Sequence, residues 1–135
     1  MPRILVVDDQ ADVRAMISIV LRVHGFEIAE AANAGEALKV FEGTSFDAAI
    51  VDIFLEGANG FDLITIMRER VPGLAIVAIS GMTTLDFVSQ SPELKDVVCL
   101  QKPFRPNDLM VAIEAARRAA RQSASGDNVE EGAAP

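Results

Sequence analysis

Four short apolar runs punctuate the chain, at Ile4–Val7, Ala48–Val51, Ala75–Ile79 and Val97–Leu100. Each has the length of a strand and lacks the alternation of a sheet with one wet face. Each therefore predicts a parallel strand buried on both sides beneath helices. Phe26–Ala31 differs, because Glu27 and Glu30 interrupt Phe26 and Ile28, and predicts a strand at the sheet edge. Between the runs the apolar spacing changes to three and four. Val13, Met16, Ile17, Val20 and Leu21 predict one helix; Ala37, Leu38 and Phe41 another; Leu63, Ile64 and Met67 a third; Leu109, Met110, Ile113 and Ala116 the last. Asn33 caps the second of these, with Glu36 three residues on, and Pro106 stands near the first position of the last. Strand and helix alternate about five times, which predicts an α/β fold: a doubly wound, five-stranded parallel sheet with right-handed crossovers and about five helices.

One stretch resists the pattern. Thr83–Asp96 carries Ser89, Gln90, Ser91 and Pro92 where the fourth helix should run. Proline lacks the amide that a helix interior needs, so this helix is expected to be short or irregular. From Gln122 to Pro135 the chain is Ser, Gly, Ala and Glu with little to bury. Residues 1–121 are accordingly expected to form one domain and 122–135 a disordered tail. No internal repeat or interior linker is present.

Composition narrows the function classes. Half of the 135 residues are hydrophobic, so most of the chain folds. No apolar run approaches the ~18 residues of a membrane span, and Met1–Val7 is too short for a secretory signal. Cys99 is the sole cysteine, which excludes an intramolecular disulfide and fits a cytoplasmic protein. The net charge is −8, from 20 acidic and 12 basic residues, which argues against nucleic acid as a partner. Arg117, Arg118 and Arg121 form one local basic cluster, read as a solvated helix face or as a docking surface for an acidic partner.

The chemistry sits at strand ends. Asp8 and Asp9 follow the first predicted strand, Asp52 the third, Ser80 ends the fourth and Lys102 follows the fifth. In an open parallel sheet ligands bind beyond the carboxyl ends of strands, where the strand order reverses. Asp8–Asp9 alone would read as a turn or a cap, Ser80 as a turn residue and Lys102 as a surface lysine. Together the three carboxylates repel unless a cation neutralises them or a proton stays bound. Mg²⁺, or Mn²⁺ in its place, suits an all-oxygen set. A nucleophile, a divalent cation, a fixed positive charge and a hydroxyl make a phosphoryl-transfer site, and a carboxylate nucleophile yields an aspartyl phosphate.

With these residues in place, the chain resembles the receiver (CheY-like) domains of two-component response regulators, of the stand-alone single-domain type. The segments ILVVDDQ, VDIFLEGANGFDL, VAISG and QKPF carry the resemblance, each at a predicted strand end. It implies a flavodoxin-like sheet of order 2-1-3-4-5. It implies that Asp52 accepts a phosphoryl group from a histidine kinase or phosphotransfer protein. Asp9, Asp52 and the backbone carbonyl of Phe54 would ligate Mg²⁺, with Asp8 acting through water. Lys102 would contact the phosphoryl group and form a cis peptide with Pro103, Ser80 would be the switch hydroxyl, and Gly60 would serve the turn into the third helix. The signal would pass to a separate downstream protein, from a monomer or weak dimer, with no membrane partner and no output domain in the same chain.

Four positions depart from the family. Cys99 stands where an aromatic usually moves with the switch hydroxyl, so aromatic coupling should be absent. The irregular Thr83–Asp96 falls on the usual output face. Glu56 replaces a common proline, which predicts a looser loop after Asp52. Phe54 and Met82 lie two residues after Asp52 and Ser80 and are apolar where hydrolytic water passes, which predicts slow loss of phosphate. Other classes are weighed against this reading. An Asp-nucleophile phosphohydrolase would need an Asp-x-Asp at the first strand, where this chain has adjacent Asp8 and Asp9. A receiver-like interaction module that acts without phosphorylation would not need the complete acid, lysine and serine set. A flavin-binding flavodoxin would need a Ser/Thr/Gly-rich phosphate loop after the first strand, and this chain has Asp8, Asp9 and Gln10 there.

Overall fold

The computed structural model describes residues 2–81 and 96–133, with side chains up to Arg121. In chain order the elements are β1 (Arg3–Val7), α1 (Ala11–Val23), β2 (Glu27–Ala31), α2 (Ala34–Glu42), β3 (Ala48–Asp52), β4 (Phe54–Leu55), β5 (Ala58–Asn59), α3 (Gly60–Arg70), β6 (Ala75–Ser80), β7 (Val98–Gln101) and α4 (Pro106–Ala133). The short or irregular helix expected over Thr83–Asp96 falls, except for Asp96, outside the described residues. The expected disordered tail begins at residue 122, where the backbone of α4 continues to Ala133, and residues 134–135 lie outside the described residues.

Among the described residues five strands form one sheet in the order β2-β1-β3-β6-β7, with every neighbouring pair parallel. With the two-residue β4–β5 hairpin set aside, this is the expected doubly wound order. The hairpin itself was not foreseeable from periodicity, since two-residue strands have none. β1 and β3 lie side by side in the interior of the sheet, and the connections from them leave in opposite directions. The cleft over their carboxyl ends is therefore the switch point of the fold.

Alternation within each strand divides the core into two layers. Leu5, Val7, Ala49, Val51, Ile76 and Ala78 face α2 and α3 on one side. Ile4, Val6, Ala48, Ile50, Val77 and Ile79 face α1 and α4 on the other. Residues 4–7 and 48–52 are buried throughout, as two-sided coverage requires. β2 behaves as an edge strand, with Glu27 and Glu30 exposed. One expectation needs correction. Val98, Cys99 and Leu100 of β7 are only half-buried and Gln101 is exposed. β7 closes the opposite edge and pairs on one side alone among the described residues, so its apolar run does not mark a fully covered strand.

The helix starts follow local chemistry. The Asn33 side chain accepts the Glu36 amide at 2.8 Å, and Glu36 Oε1 in turn accepts the Ala32 amide at 3.0 Å. Asn59 accepts the Phe61 amide at 2.8 Å at the start of α3. These caps satisfy amides that no preceding turn can reach. They fix the helices whose first turns surround the carboxyl edge of the sheet.

Candidate functional site

β1 delivers Asp8 and Asp9 to the switch point. Asp8 is fully buried. Its Oδ1 accepts the Gln10 amide at 2.8 Å, its own amide donates to the Ala31 carbonyl at 3.2 Å, and its carbonyl accepts Arg14 Nη1 at 2.6 Å. Asp9 is half-buried, and its Oδ2 accepts the backbone amide of Glu56 at 3.1 Å. Asp52 ends β3 at 4% exposure. Its Oδ1 accepts the Phe54 amide at 2.9 Å and its Oδ2 accepts Lys102 Nζ at 2.9 Å. One oxygen from each of the three carboxylates lies within 4.8 Å of the others.

Lys102 reaches the cluster from the end of β7. Its amide donates to the Ser80 carbonyl at 2.7 Å, and its bond to Pro103 is cis. Its ammonium lies 3.0 Å from Asp8 Oδ2 as an ion pair and donates to Gln10 Oε1 at 2.8 Å. Ser80 is buried at the end of β6. In register it stands one residue beyond Ile79, the partner of Asp52. Cys99 is the register partner of Ala78, so alternation puts it on the same sheet face as Ser80. Asp9, Gln10, Asp52, Phe54, Gly81 and Lys102 line a cavity of about 510 Å³ open to solvent. Phe54 projects from the hairpin at 51% exposure. Met82 lies outside the described residues.

Three site features escaped the sequence reading. Gln10 is adjacent to the acid pair, and that adjacency was the one available signal. The Glu56 amide has no side-chain signature; its bond to Asp9 ties the loop after Asp52 to the end of β1. Gly60 does more than permit a turn. Its amide donates to the Ile53 carbonyl at 2.8 Å, and a Cβ built there would lie 2.4 Å from the Asp52 carbonyl oxygen. The first turn of α3 is thus pressed against the backbone that carries Asp52.

Charge in this cleft is strained. Burial pushes the Asp8 carboxyl above its ordinary 3.8; the Gln10 amide and Lys102 oppose this, and the charge of Asp52 adds to it. Burial alone would lower Lys102, but its hydrogen bonds and attraction to Asp52 and Asp8 prevail and hold it above 10.5. One lysine faces three carboxylates among the described residues. The all-oxygen donor set and the unfavourable burial of Asp8 both fit a hard divalent cation.

The sign of the Asp8 effect is testable. Its folded pKa exceeds the unfolded value, so between the two the native state binds more protons and stability falls as pH rises. Asp8→Asn is therefore expected to raise the melting temperature at pH 7 in EDTA. The gain should vanish as pH falls toward 3.8, and Mg²⁺ should stabilise the native chain more than the variant. Thermal melts across pH, with and without Mg²⁺, check this; a lower melting temperature at pH 7 in EDTA contradicts it.

The model of the response regulator receiver domain matches residues 4–114. The chain belongs to the response regulator receiver domain family. This receiver domain is 35% identical over 117 residues to the DNA-binding response regulator MtrA of Mycobacterium tuberculosis, covering 86% of the chain and 50% of that protein. It is 30% identical over 115 residues to an NtrX-like response regulator of Rickettsia bellii, covering 84% of the chain and 24% of that protein. The chain thus spans about a quarter to a half of these curated relatives. A CheY-like receiver domain protein from Methanospirillum hungatei superposes with a TM-score of 0.81 at 28% identity, over 91% of this chain and 98% of that one. A receiver domain protein from Clostridium thermocellum gives 0.77 at 26%, over 90% and 98%. Like these two structures, the receiver domain here carries a flavodoxin-like doubly wound sheet. Its described residues contain no helix long and apolar enough to cross a membrane.

Proposed function

We propose that this receiver domain is a phosphorylation-controlled switch in which Asp52 accepts the phosphoryl group from a histidine kinase or phosphotransfer protein. The observation that carries the reading is the geometry of Asp52. Its carboxylate opens into the cavity with one oxygen held by an amide and the other by Lys102, beside two further acids.

In the proposed reaction an Asp52 oxygen forms a new bond to phosphorus as the phosphorus–nitrogen bond of a donor phosphohistidine breaks. The bonding pair stays on the imidazole nitrogen, which takes up a proton. With an acyl phosphate the pair leaves on the carboxylate oxygen and no proton is needed. Lys102 presents its ammonium to the transferring oxygens, and Ser80 moves its hydroxyl to the product. Asp9, Asp52 and the Phe54 carbonyl would hold Mg²⁺ or Mn²⁺, with Asp8 joined through water. Such an ion, when bound, would neutralise the carboxylates and supply positive charge beside the transferring group. Cys99 is too small to move as an aromatic would, so in this reading Ser80 switches without an aromatic relay. The proposed switch acts in the cytoplasm as a monomer or weak dimer and passes its signal to a downstream partner. Its folded unit is proposed to end near Arg121.

Incubation of the purified protein with Mg²⁺ and a small acyl phosphate, followed by intact mass measurement, tests the reading. A gain of one phosphoryl mass that is lost in EDTA is expected. No gain despite tight Mg²⁺ binding points instead to an interaction module that works without phosphorylation. Phe54 adds a second expectation. An exposed phenyl at the cavity wall cannot orient water, so the phosphoprotein should outlive a timescale of seconds, and Phe54→Asn should shorten its half-life.

A further inference from the structure

Gln10 is a side chain that the phosphoacceptor reading leaves without a task. Its backbone and side chain grip the two ends of one ion pair. The amide donates to Asp8 Oδ1 at 2.8 Å, and Oε1 accepts Lys102 Nζ at 2.8 Å. An ammonium has three N–H donors. Among the described residues Lys102 Nζ donates to Asp52 Oδ2 at 2.9 Å and to Gln10 Oε1, and is ion-paired with Asp8 Oδ2 at 3.0 Å. Two of these partners are buried carboxylates, and the third is a neutral amide oxygen on an exposed residue lining the cavity.

The two buried acceptors are also the groups that a divalent cation needs. Lys102 and the cation compete for Asp8 and Asp52, and whichever holds them weakens the other. An acceptor on the cavity side gives the ammonium a partner that it keeps when a cation takes the carboxylates, beside the space that a phosphoryl donor enters. Because that acceptor is uncharged, it releases the lysine more readily than a third carboxylate would. We propose that Gln10 is a positioning residue: when a divalent cation takes Asp8 and Asp52, Gln10 Oε1 retains Lys102 at the cavity wall with its ammonium facing the incoming phosphoryl oxygens. This rests on the phosphoacceptor reading for the donor and on the acid cluster alone for the cation.

The test compares the native chain with Gln10→Ala, Gln10→Met, which keeps the length but removes the acceptor, and Gln10→Glu, which restores one. Mg²⁺ alone is titrated calorimetrically, without any phosphoryl donor. Affinity is expected to fall about threefold to tenfold in the Ala and Met variants, the scale of one hydrogen bond to a charged group at a half-exposed site. The Glu variant is expected to match or exceed the native affinity. With a small acyl phosphate at saturating Mg²⁺, the half-saturating donor concentration should rise in the Ala and Met variants while the maximal rate stays near native. A residue that served only the fold would shift the melting temperature and leave this split and the Glu rescue absent. Unchanged or tighter Mg²⁺ binding in both the Ala and Met variants overturns the proposal, as does a Glu variant that behaves like Ala. If the native chain binds Mg²⁺ but never gains mass, the phosphoacceptor reading fails alone and the Mg²⁺ arm still decides the role of Gln10.

Discussion

Asp52→Asn is expected to abolish phosphoryl uptake from any donor, with the rate falling by at least about a thousandfold, as loss of a nucleophile does elsewhere. The amide has nearly the shape of the carboxylate, so its oxygen still accepts the Phe54 amide now bonded to Asp52 Oδ1 at 2.9 Å. What disappears is the charge that attacks phosphorus and half of the carboxylate pairing of Lys102. Folding should survive. Removing one of three clustered acids also relieves Asp8, since the charge of Asp52 is among the causes that raise its pKa. The melting temperature in EDTA should therefore be equal to or above that of the native chain. Intact mass and a thermal melt on the same preparation check both halves. A phosphoryl mass on the variant would move the acceptor to another residue.

The second large effect concerns a residue with no chemistry. Gly60→Ala would place a Cβ 2.4 Å from the Asp52 carbonyl oxygen and 2.5 Å from the Ile53 Cα. Both are backbone atoms of a buried strand end and cannot step aside as a side chain could. At an unhindered helix position the same change stabilises, because alanine is the better helix former. Here the clash decides the sign, with an expected loss of about 3 kcal/mol. For a domain of this size that is about 10 °C in melting temperature. Phosphoryl uptake should fall as well, because the displaced backbone carries Asp52. Gly73→Ala is the control: its Cβ would meet nothing within 4 Å, and its melting temperature should barely move. Similar melting temperatures for the two variants would refute the close approach at Gly60.

The fold was legible because parallel strands covered on both faces must be apolar throughout. Ile4–Val7, Ala48–Val51 and Ala75–Ile79 obey that rule and are buried throughout. Val97–Leu100 has the same composition but pairs at an edge. Composition alone does not separate an interior strand from a hydrophobic edge. The acids, Ser80 and Lys102 were readable because predicted strand ends give them an address, and the parallel sheet brings those addresses together. Gln10 and the Glu56 amide were not. The Gln10 side chain and the Glu56 amide each act through a hydrogen bond that exists only once β1, β7 and the hairpin are assembled, and neither leaves a periodicity in the chain. The clash at Gly60 likewise depends on how closely α3 approaches β3, which no local pattern records.

The hold on Asp9 bears on how this site responds to mutational survey. The donor to Asp9 is the main chain of residue 56, not its glutamate side chain. Alanine scanning would pass over the position, since Glu56→Ala keeps the N–H and the 3.1 Å bond with it. Proline alone among the common amino acids removes that donor. A saturation library at residue 56 should therefore keep the hold on Asp9 with every side chain except proline, the residue the family resemblance leads one to expect there, so this chain ties Asp9 down with a bond that a proline-bearing loop cannot make.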